Sequence, residues 1–192
     1  LVAGASKGEG LGNQFLANIR ECDAIAHIVR CFNDENVVHV AGHVNPIEDI
    51  EVINTELALA DLASVDKQIQ KNIKQAHSGG DKEALKLVTA LEKIKPALDE
   101  GKPARSVKLT EEEKAVIRPL FLLTMKPVMY VANVDDHGFE NNPLLDKVKA
   151  FAAQENAPVV AVCAKTEADI ADLDEADQEM FLEDMGMTEP GL

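Results

Sequence analysis

The sequence has few aromatic residues, few cysteines and no tryptophan. Aromatic residues make up 4% of the 192 residues and hydrophobic residues 46%, so the core must be built mainly from Ala, Val, Ile and Leu. Such a core suits helices and parallel strands better than an aromatic-rich sandwich. The cysteines Cys22, Cys31 and Cys163 form no C-x-x-C pair, which argues against a disulfide framework and a zinc site. We therefore expect a reducing, cytoplasmic setting.

Long apolar runs and an excess of positive charge are also missing. Apolar segments such as 127–132 and 157–164 are far shorter than the roughly 20 residues of a membrane span, and no basic leader opens the chain. We expect neither a membrane span nor a secretory signal. The formal net charge is −15, from 34 acids and 19 bases. The overall field of such a protein repels phosphate backbones, so direct DNA binding is not expected, although a local basic patch is compatible with this charge.

Three short apolar segments separated by helical patterns predict an α/β fold with a parallel sheet. The predicted strands are 24–32, read as a buried strand, 127–134 and 158–164. Helices are predicted at 13–21, 110–123 and 142–156, with a short acidic surface helix around 176–185. The glycine-rich opening, residues 1–13, predicts a loop. The TEEE tetrapeptide at 110–113 is typical of a capping box at the start of a helix.

A long helical segment lies between the first and second predicted strands. Apolar residues recur at helical spacing over 48–76 and again over 82–100, and the SGGD tetrapeptide at 78–81 separates them. Asp81 is the predicted N-cap of the second helix. Two striped helices joined by a tight turn predict an antiparallel helical hairpin, or coiled coil. Its polar outer face fits either a solvated surface or a partner-binding arm, and the pattern does not decide between them.

Polar residues directly after the second and third strands are the first candidates for a binding site, because ligands of open parallel sheets bind at the carboxyl ends of the strands. NVDD follows the second strand at 133–136, and CAK follows the third at 163–165. An N-x-x-D and a C/S-A-K about 30 residues apart resemble the base-recognition elements of GTPase-type P-loop NTPases. The alternative is two ordinary polar turns. The phosphate loop G-x-x-x-x-G-K-[ST] does not occur in the 192 residues, and the glycine run at 8–12 does not follow a strand as a dinucleotide fingerprint would.

Longer stretches make this resemblance closer. The opening LVAGASKGEGLGNQFLANIRECDAI, then NPIEDIEVINTELALADL, NVDDHGFENNP and the acidic end resemble the YchF/Obg-like ATPase family over essentially the whole chain. The resemblance implies the second half of a P-loop NTPase G domain with an inserted helical hairpin. The implied segments are 1–46 of the G domain with its switch II region, the hairpin at 47–109, and the base-recognition half at 110–192. The family's P-loop and C-terminal TGS domain would lie outside, so the chain is predicted to be a central fragment.

The resemblance also implies function: ribosome-associated binding and hydrolysis of ATP, preferred over GTP. Val134 stands where N-K-x-D motifs have Lys, which disfavours guanine, whereas Asp136 and Lys165 keep GTP as an alternative nucleotide. The alternative function is a nucleotide-switched binding module whose hairpin docks on a ribosome or a protein partner. The residues implied in nucleotide binding are Asn133, Val134, Asp136, Cys163, Ala164 and Lys165.

Two further residues are implied in hydrolysis. Leu1 matches the hydrophobic residue that replaces the catalytic glutamine in this class, and His39 matches a loop histidine that the family uses in hydrolysis. An imidazole can orient or deprotonate water; the alternative is a loop histidine without chemistry. Mg²⁺ is the implied cofactor, with its ligands expected outside the chain, and the chain by itself is expected to be inactive. His27 is expected in the core, and the remaining histidines, His43, His77 and His137, at the surface.

Overall fold

The computed structural model describes residues 1, 3–7, 12–34, 36–39, 41–78 and 81–184. They form two compact units, one of Leu1–Ile25 with Ile50–Pro127 and the other of Ala26–Asp49 with Val128–Leu192. Most of the predicted glycine run (8–11), the two glycines of the hairpin turn and the acidic end from 185 lie outside the described residues. The division into 1–46, 47–109 and 110–192 stays a prediction.

Ten regular helices and strands follow one another along the described residues. In chain order they are α1 (Gly12–Arg20), β1 (Ile25–Arg30), α2 (Pro46–His77), α3 (Lys82–Asp99), α4 (Glu111–Ile117), β2 (Val128–Asn133), α5 (Pro143–Gln154), β3 (Val159–Val162), α6 (Ala164–Ala171) and α7 (Glu175–Asp184). Helix α6 was not predicted, because its only buried residues are Thr166 and Ile170 and so its apolar stripe is very short. No helix in the described part of the chain has the length and apolar character that a membrane crossing requires.

The three strands form one sheet in the order β1-β2-β3. Strands β2 and β3 are parallel, with Tyr130 opposite Val159. The amide of Ile25 donates to the carbonyl of Pro127 (2.9 Å) and that of Cys31 to the carbonyl of Asn133 (2.7 Å). Partners on β1 and β2 thus advance together, which makes this pair parallel as well. The predicted parallel α/β fold is confirmed.

One face of this sheet is packed and the other is open in part. Tyr130 is fully buried; its hydroxyl donates to Glu155 (2.8 Å) and its ring meets Phe151 edge-on, with His27 at 5.6 Å between ring centroids. On the opposite face of β1 the side chain of Ile28 is 70% exposed. Because successive side chains of a strand alternate between faces, the prediction of a buried first strand is right for one face and wrong for the other.

Helices α2 and α3 form the predicted antiparallel hairpin. Asp66 pairs with Lys95 (2.5 Å), whereas nearer the turn Ala76 packs with Ala84, so partners rise in one helix as they fall in the other. Asp81 caps α3 as predicted, accepting hydrogen bonds from the amides of Glu83 and Ala84. The apolar core of the hairpin is formed by Ala58, Val65, Ala90, Leu91, Ile94 and Leu98.

Helix α4 is shorter than predicted. Its capping box is present: the Thr110 hydroxyl accepts from the Glu113 amide, and the Glu113 carboxylate accepts from the Thr110 amide. The helix ends at Ile117 and a 3₁₀ turn follows at Arg118–Leu120. The prediction of a helix to residue 123 is wrong, because Pro119 has no amide hydrogen to continue the α-helical hydrogen bonds, and the backbone turns into the left-handed region at Phe121.

Two carboxylates of α2 hold distant backbone segments of the first unit. Asp61 accepts from the amide of Leu123 (2.8 Å) and from both the amide and the hydroxyl of Thr124 (2.7 Å each). Glu56 accepts from the amides of Gly4 (2.7 Å) and Ser6 (2.8 Å). Asp61 thereby satisfies buried donors, and Glu56 satisfies partly buried ones.

The opening segment is not wholly a loop. Ala5–Lys7 is a 3₁₀ turn, and α1 already begins at Gly12. A side chain at Gly12 would place its Cβ 2.5 Å from the carbonyl oxygen of Ala5, so only glycine fits there. The glycine content that predicted a loop up to residue 13 here reflects, at Gly12, a close approach of two backbone segments.

Candidate functional site

The two predicted base-recognition motifs meet at the carboxyl ends of β2 and β3. Asn133 is the last residue of β2, and its side-chain oxygen accepts a hydrogen bond from the Ala164 amide at 3.0 Å. The amide of Val134 donates to the carbonyl of Val162 (2.8 Å), which continues the strand pairing into the motif. The polar ends of two neighbouring strands are thereby joined directly.

The motif after β3 has a buried part and an exposed part. Cys163 is buried at the N-cap of α6, and the Thr166 hydroxyl lies 3.1 Å from its sulfur. Ala164 and Lys165, the next two residues, are exposed. Cys163 therefore packs in the framework, whereas Ala164, whose amide is bound to Asn133, and Lys165 lie at the surface.

The motif after β2 divides in the same way. Val134 is buried, so its side chain belongs to the core of the second unit and offers no polar group to a base. Asp135 and Asp136 are exposed, and Asp136 leaves a carboxylate free to accept hydrogen bonds.

Asn142 stands at the end of the loop between β2 and α5 and holds it in place. The sequence predicted this residue only as the start of a helix. Its side-chain oxygen caps α5 by accepting from the amides of Leu144 (3.0 Å) and Leu145 (3.3 Å). Its amide group donates to the carbonyls of Cys31 and Gly138, both at 2.9 Å. The Asn-Pro dipeptide signals the cap. Nothing local signals the bond to Cys31, which lies 111 residues away.

Helix α5 and the strand ends also constrain Gly138. A Cβ on Gly138 would lie 2.7 Å from the Asp135 carboxylate and 3.1 Å from the Asn142 amide nitrogen. A side chain at this position would therefore crowd Asn142 and Val134, and the exposed Asp135 carboxylate would have to turn away. The DDHG sequence is read best as a tight loop that presents Asp136, rather than as a metal-binding sequence.

His39 lies in the loop before α2, within the second unit. Its Nε2 is 2.9 Å from the Asp49 carboxylate, and its Nδ1 accepts a hydrogen bond from the Ala41 amide at 3.0 Å. His43 is exposed, as predicted, and contacts Glu48 at 2.9 Å.

Burial, and secondarily the nearby Asp49 charge, raises the pKa of the Cys31 thiol to about 11, so this thiol stays protonated at neutral pH.

Leu1 lies in the first unit. It is half-buried and packs against an apolar cluster of Leu16, Leu57 and Leu123. Its described contacts are therefore those of a core residue.

Metal-ligating side chains do not gather in the described part of the chain. No group of three or more His, Cys, Asp or Glu side chains there is arranged to hold a metal ion.

The whole chain is similar to proteins named ribosome-binding ATPase YchF. It is 56% identical to that of Escherichia coli O157:H7 and 57% identical to that of Haemophilus influenzae, each over 192 residues. It is 50% identical to that of Bacillus subtilis over 198 aligned residues. Each alignment covers the whole chain and 53% of the relative, so the chain spans about half the length of the curated relatives it matches. No protein-family model matches the chain.

The fold has a close counterpart among solved structures. The Schizosaccharomyces pombe YchF GTPase superimposes with a TM-score of 0.79 at 28% identity, over 94% of this chain and 50% of that one. Sequence similarity over all 192 residues and similarity of fold therefore agree. The resemblance to the YchF/Obg-like family that the motifs indicated is confirmed.

Proposed function

We propose that the protein binds ATP with its base at the ends of β2 and β3, and that it hydrolyses ATP. The observation that carries the proposal is the hydrogen bond from the Ala164 amide to Asn133, which joins the two motifs at the ends of β2 and β3. Asp136 and Lys165, which belong to the same two motifs, are exposed. The relatives named as ATPases, at 50–57% identity over the whole chain, support the reaction class.

The test is the affinity of the full-length protein for ATP. Asn133→Ala removes the acceptor of the Ala164 amide and a base partner, and we expect ATP binding to weaken about 5- to 150-fold, as for one lost buried hydrogen-bond partner. The control is Asn18→Ala, at an exposed position of α1. Unchanged ATP affinity in titration calorimetry of Asn133→Ala would place the base elsewhere.

ATP rather than GTP is the proposed nucleotide. Val134 is buried and apolar, so this position offers guanine no cationic side chain to pack on its ring. Asp136 is the residue that would favour guanine, because a carboxylate can accept from the guanine amide and amine. Mg²⁺ is proposed to accompany ATP, with ligands other than the described residues.

The 192-residue chain by itself is proposed to be inactive. Phosphates supply much of the binding energy of a nucleotide through backbone amides, a lysine and Mg²⁺. No G-x-x-x-x-G-K-[ST] loop is present in the sequence. We expect no ATP hydrolysis above buffer and no ATP binding tighter than millimolar; turnover by the purified chain would contradict the proposed phosphate side.

The proposed partner is the ribosome, and the proposed setting is the cytoplasm. The relatives are named for ribosome binding. The half of the hairpin next to its turn, residues 67–86, carries more lysines than acids although the chain as a whole is acidic. Its exposed lysines are Lys67, Lys71, Lys74, Lys82 and Lys86, and its acids are Asp81 and Glu83. A local cluster of lysines can bind an RNA phosphate backbone although the net charge is negative.

Salt-dependent sedimentation with ribosomes tests this surface. Lys71→Gln with Lys74→Gln removes two charges from the exposed face of α2, and we expect weaker co-sedimentation and a shallower salt dependence. The matched control is Lys147→Gln with Lys149→Gln, two exposed lysines of α5. Equal loss with both double variants would mean that net charge alone, rather than the hairpin, governs binding.

A further inference from the structure

Both ring nitrogens of His39 are engaged. The Ala41 amide can only donate, so Nδ1, at 3.0 Å, is the acceptor and carries no proton. The Asp49 carboxylate, at 2.9 Å from Nε2, accepts the proton of that nitrogen. The two contacts together select the neutral ring with its proton on Nε2.

The neighbouring His43 provides a contrast within the same loop. Its Nδ1 faces the Ala41 carbonyl (3.1 Å) and its Nε2 faces the Glu48 carboxylate (2.9 Å), so both nitrogens meet acceptors. One neutral tautomer cannot satisfy both acceptors, and this arrangement selects neither nitrogen. The environment of His39 is therefore specific in a way that the environment of His43 is not.

Burial separates the two pairs as well. The side chains of His39 and Asp49 are 15% and 31% exposed, whereas those of His43 and Glu48 are 62% and 56% exposed. Solvent screens an exposed ion pair strongly, so such a pair holds its two side chains only weakly in place.

We propose that Asp49 is a positioning residue for His39: it holds the ring as the Nε2–H tautomer and so makes Nδ1 the nitrogen that receives the proton of the attacking water. The inference rests on the proposed ATP hydrolysis and extends it to a residue that the sequence motifs did not indicate. In the described conformation the Ala41 amide occupies Nδ1, so His39 acts only after this amide has been replaced by water.

Nδ1 of His39 is the general base in the proposed step. The lone pair of Nδ1 takes one proton from water, and the electrons of that O–H bond stay on the oxygen. The oxygen forms a bond to the γ-phosphorus as the bond to the β–γ bridging oxygen breaks, and those electrons leave with ADP. The imidazolium then carries a proton on each nitrogen, and the Asp49 carboxylate stabilises its charge through Nε2–H. The Nδ1 proton passes afterwards to phosphate or solvent.

The first test is the tautomer of His39 in the 192-residue chain. Long-range ¹H–¹⁵N correlation spectra distinguish a protonated Nε2 from a protonated Nδ1. We expect His39 to be protonated at Nε2 only, and Asp49→Ala to produce a mixture of tautomers. Asp49→Asn keeps an acceptor for Nε2–H and is expected to keep the tautomer. Glu48→Ala, one residue away in the same helical turn, is expected to leave His39 unchanged.

The second test is the kinetics of ATP hydrolysis by the full-length protein. We expect Asp49→Ala to lower kcat about tenfold or more with KM changed less than twofold, because the effect acts on the chemical step. Asp49→Asn is expected to lie between Asp49→Ala and the unmodified protein, since it retains the tautomer and lacks the charge. In a protein that already carries His39→Ala, Asp49→Ala is expected to cause no further loss.

Each outcome bears on one claim. A mixed tautomer in the unmodified chain, or a His39 tautomer insensitive to Asp49→Ala, overturns the positioning role whatever the enzyme does. A normal kcat in folded Asp49→Ala, or an equal further loss on top of His39→Ala, overturns its part in hydrolysis. Absence of ATP hydrolysis by the unmodified full-length protein overturns the proposed function, while the tautomer measurement still decides the pairing.

Discussion

In both units polar side chains form hydrogen bonds to the backbone of distant segments, but these bonds serve different purposes in the two units. In the first unit Asp61 and Glu56 bind backbone amides of distant segments, and their side chains are enclosed by the core, at 0% and 5% exposure. In the second unit Asn133 and Asn142 also hold distant backbone groups, but they are half-buried and Asp136 beside them is exposed. An enclosed polar anchor contributes stability alone, whereas an anchor at an open strand end also positions groups for a ligand.

The largest expected effect is at Asp61. Asp61→Ala leaves the amides of Leu123 and Thr124 and the Thr124 hydroxyl without their buried partner. We expect the free energy of unfolding to fall by about 3–5 kcal/mol in urea denaturation. Asp66→Ala, on the same helix, is the control and should change it far less, because the pair of Asp66 with Lys95 is exposed to solvent. Equal effects of the two variants would refute the assignment of Asp61 as an enclosed anchor.

The contribution of Glu56 to stability depends on pH. Burial alone would raise the pKa of its carboxyl, but the hydrogen bonds from Ser6 and Gly4 and the nearby Lys7 charge together lower that pKa. A lowered folded-state pKa means that this group stabilises the fold above its unfolded pKa of about 4.3 and that the stabilisation is lost as pH falls through the folded value. Glu56→Gln should cost about 1–2 kcal/mol at pH 7 and flatten the loss of stability between pH 5 and 3. An acid limb as steep in Glu56→Gln as in the unmodified chain would contradict this cause.

The cap of α3 has a smaller expected effect. Asp81→Ala removes the acceptor of the amides of Glu83 and Ala84 at the start of the second hairpin helix. We expect Asp81→Ala to lower the free energy of unfolding by about 1 kcal/mol. Asp81→Asn should lower it much less, because an asparagine side chain can accept the same hydrogen bonds. Denaturation curves of the three proteins measure the difference. A loss as large for Asp81→Asn as for Asp81→Ala would argue against capping.

The smallest expected change in stability is at the open strand end. Asp136 is exposed, so Asp136→Ala should leave the free energy of unfolding within about 0.5 kcal/mol. In the full-length protein ATP affinity should survive, while GTP affinity should fall. Competition between the two nucleotides in fluorescence titrations measures the ratio. A parallel loss of both affinities would mean that Asp136 contacts a part common to the two nucleotides.

Features set by neighbouring residues could be predicted from the sequence. The caps Asp81, Thr110 and Asn142 each act on amides two or three residues away, and the parallel strands follow from apolar segments separated by helices. The end of α4 is also local. Pro119 marks it, whereas the apolar pattern alone continues to residue 123.

Features set by distant residues could not be predicted in the same way. Asp61 occupies a helix whose stripe predicts only which side is buried, and its partners lie 62 and 63 residues along the chain. The pairing of His39 with Asp49 depends on how the loop returns to the start of α2, which no spacing specifies. For the site, the motifs indicated Asn133 and Ala164 as neighbours through the order of the strands. That Val134 and Cys163 face the core follows only from packing.

Photolabelling with 8-azido-ATP locates the bound base directly, because the reactive group is attached to the base. After irradiation of the full-length protein, we expect labelled peptides from 133–136 and 163–166, and loss of both labels when excess ATP is present. Labelling confined to other peptides, with the same protection by ATP, would contradict the assignment of the strand ends as the base-binding site.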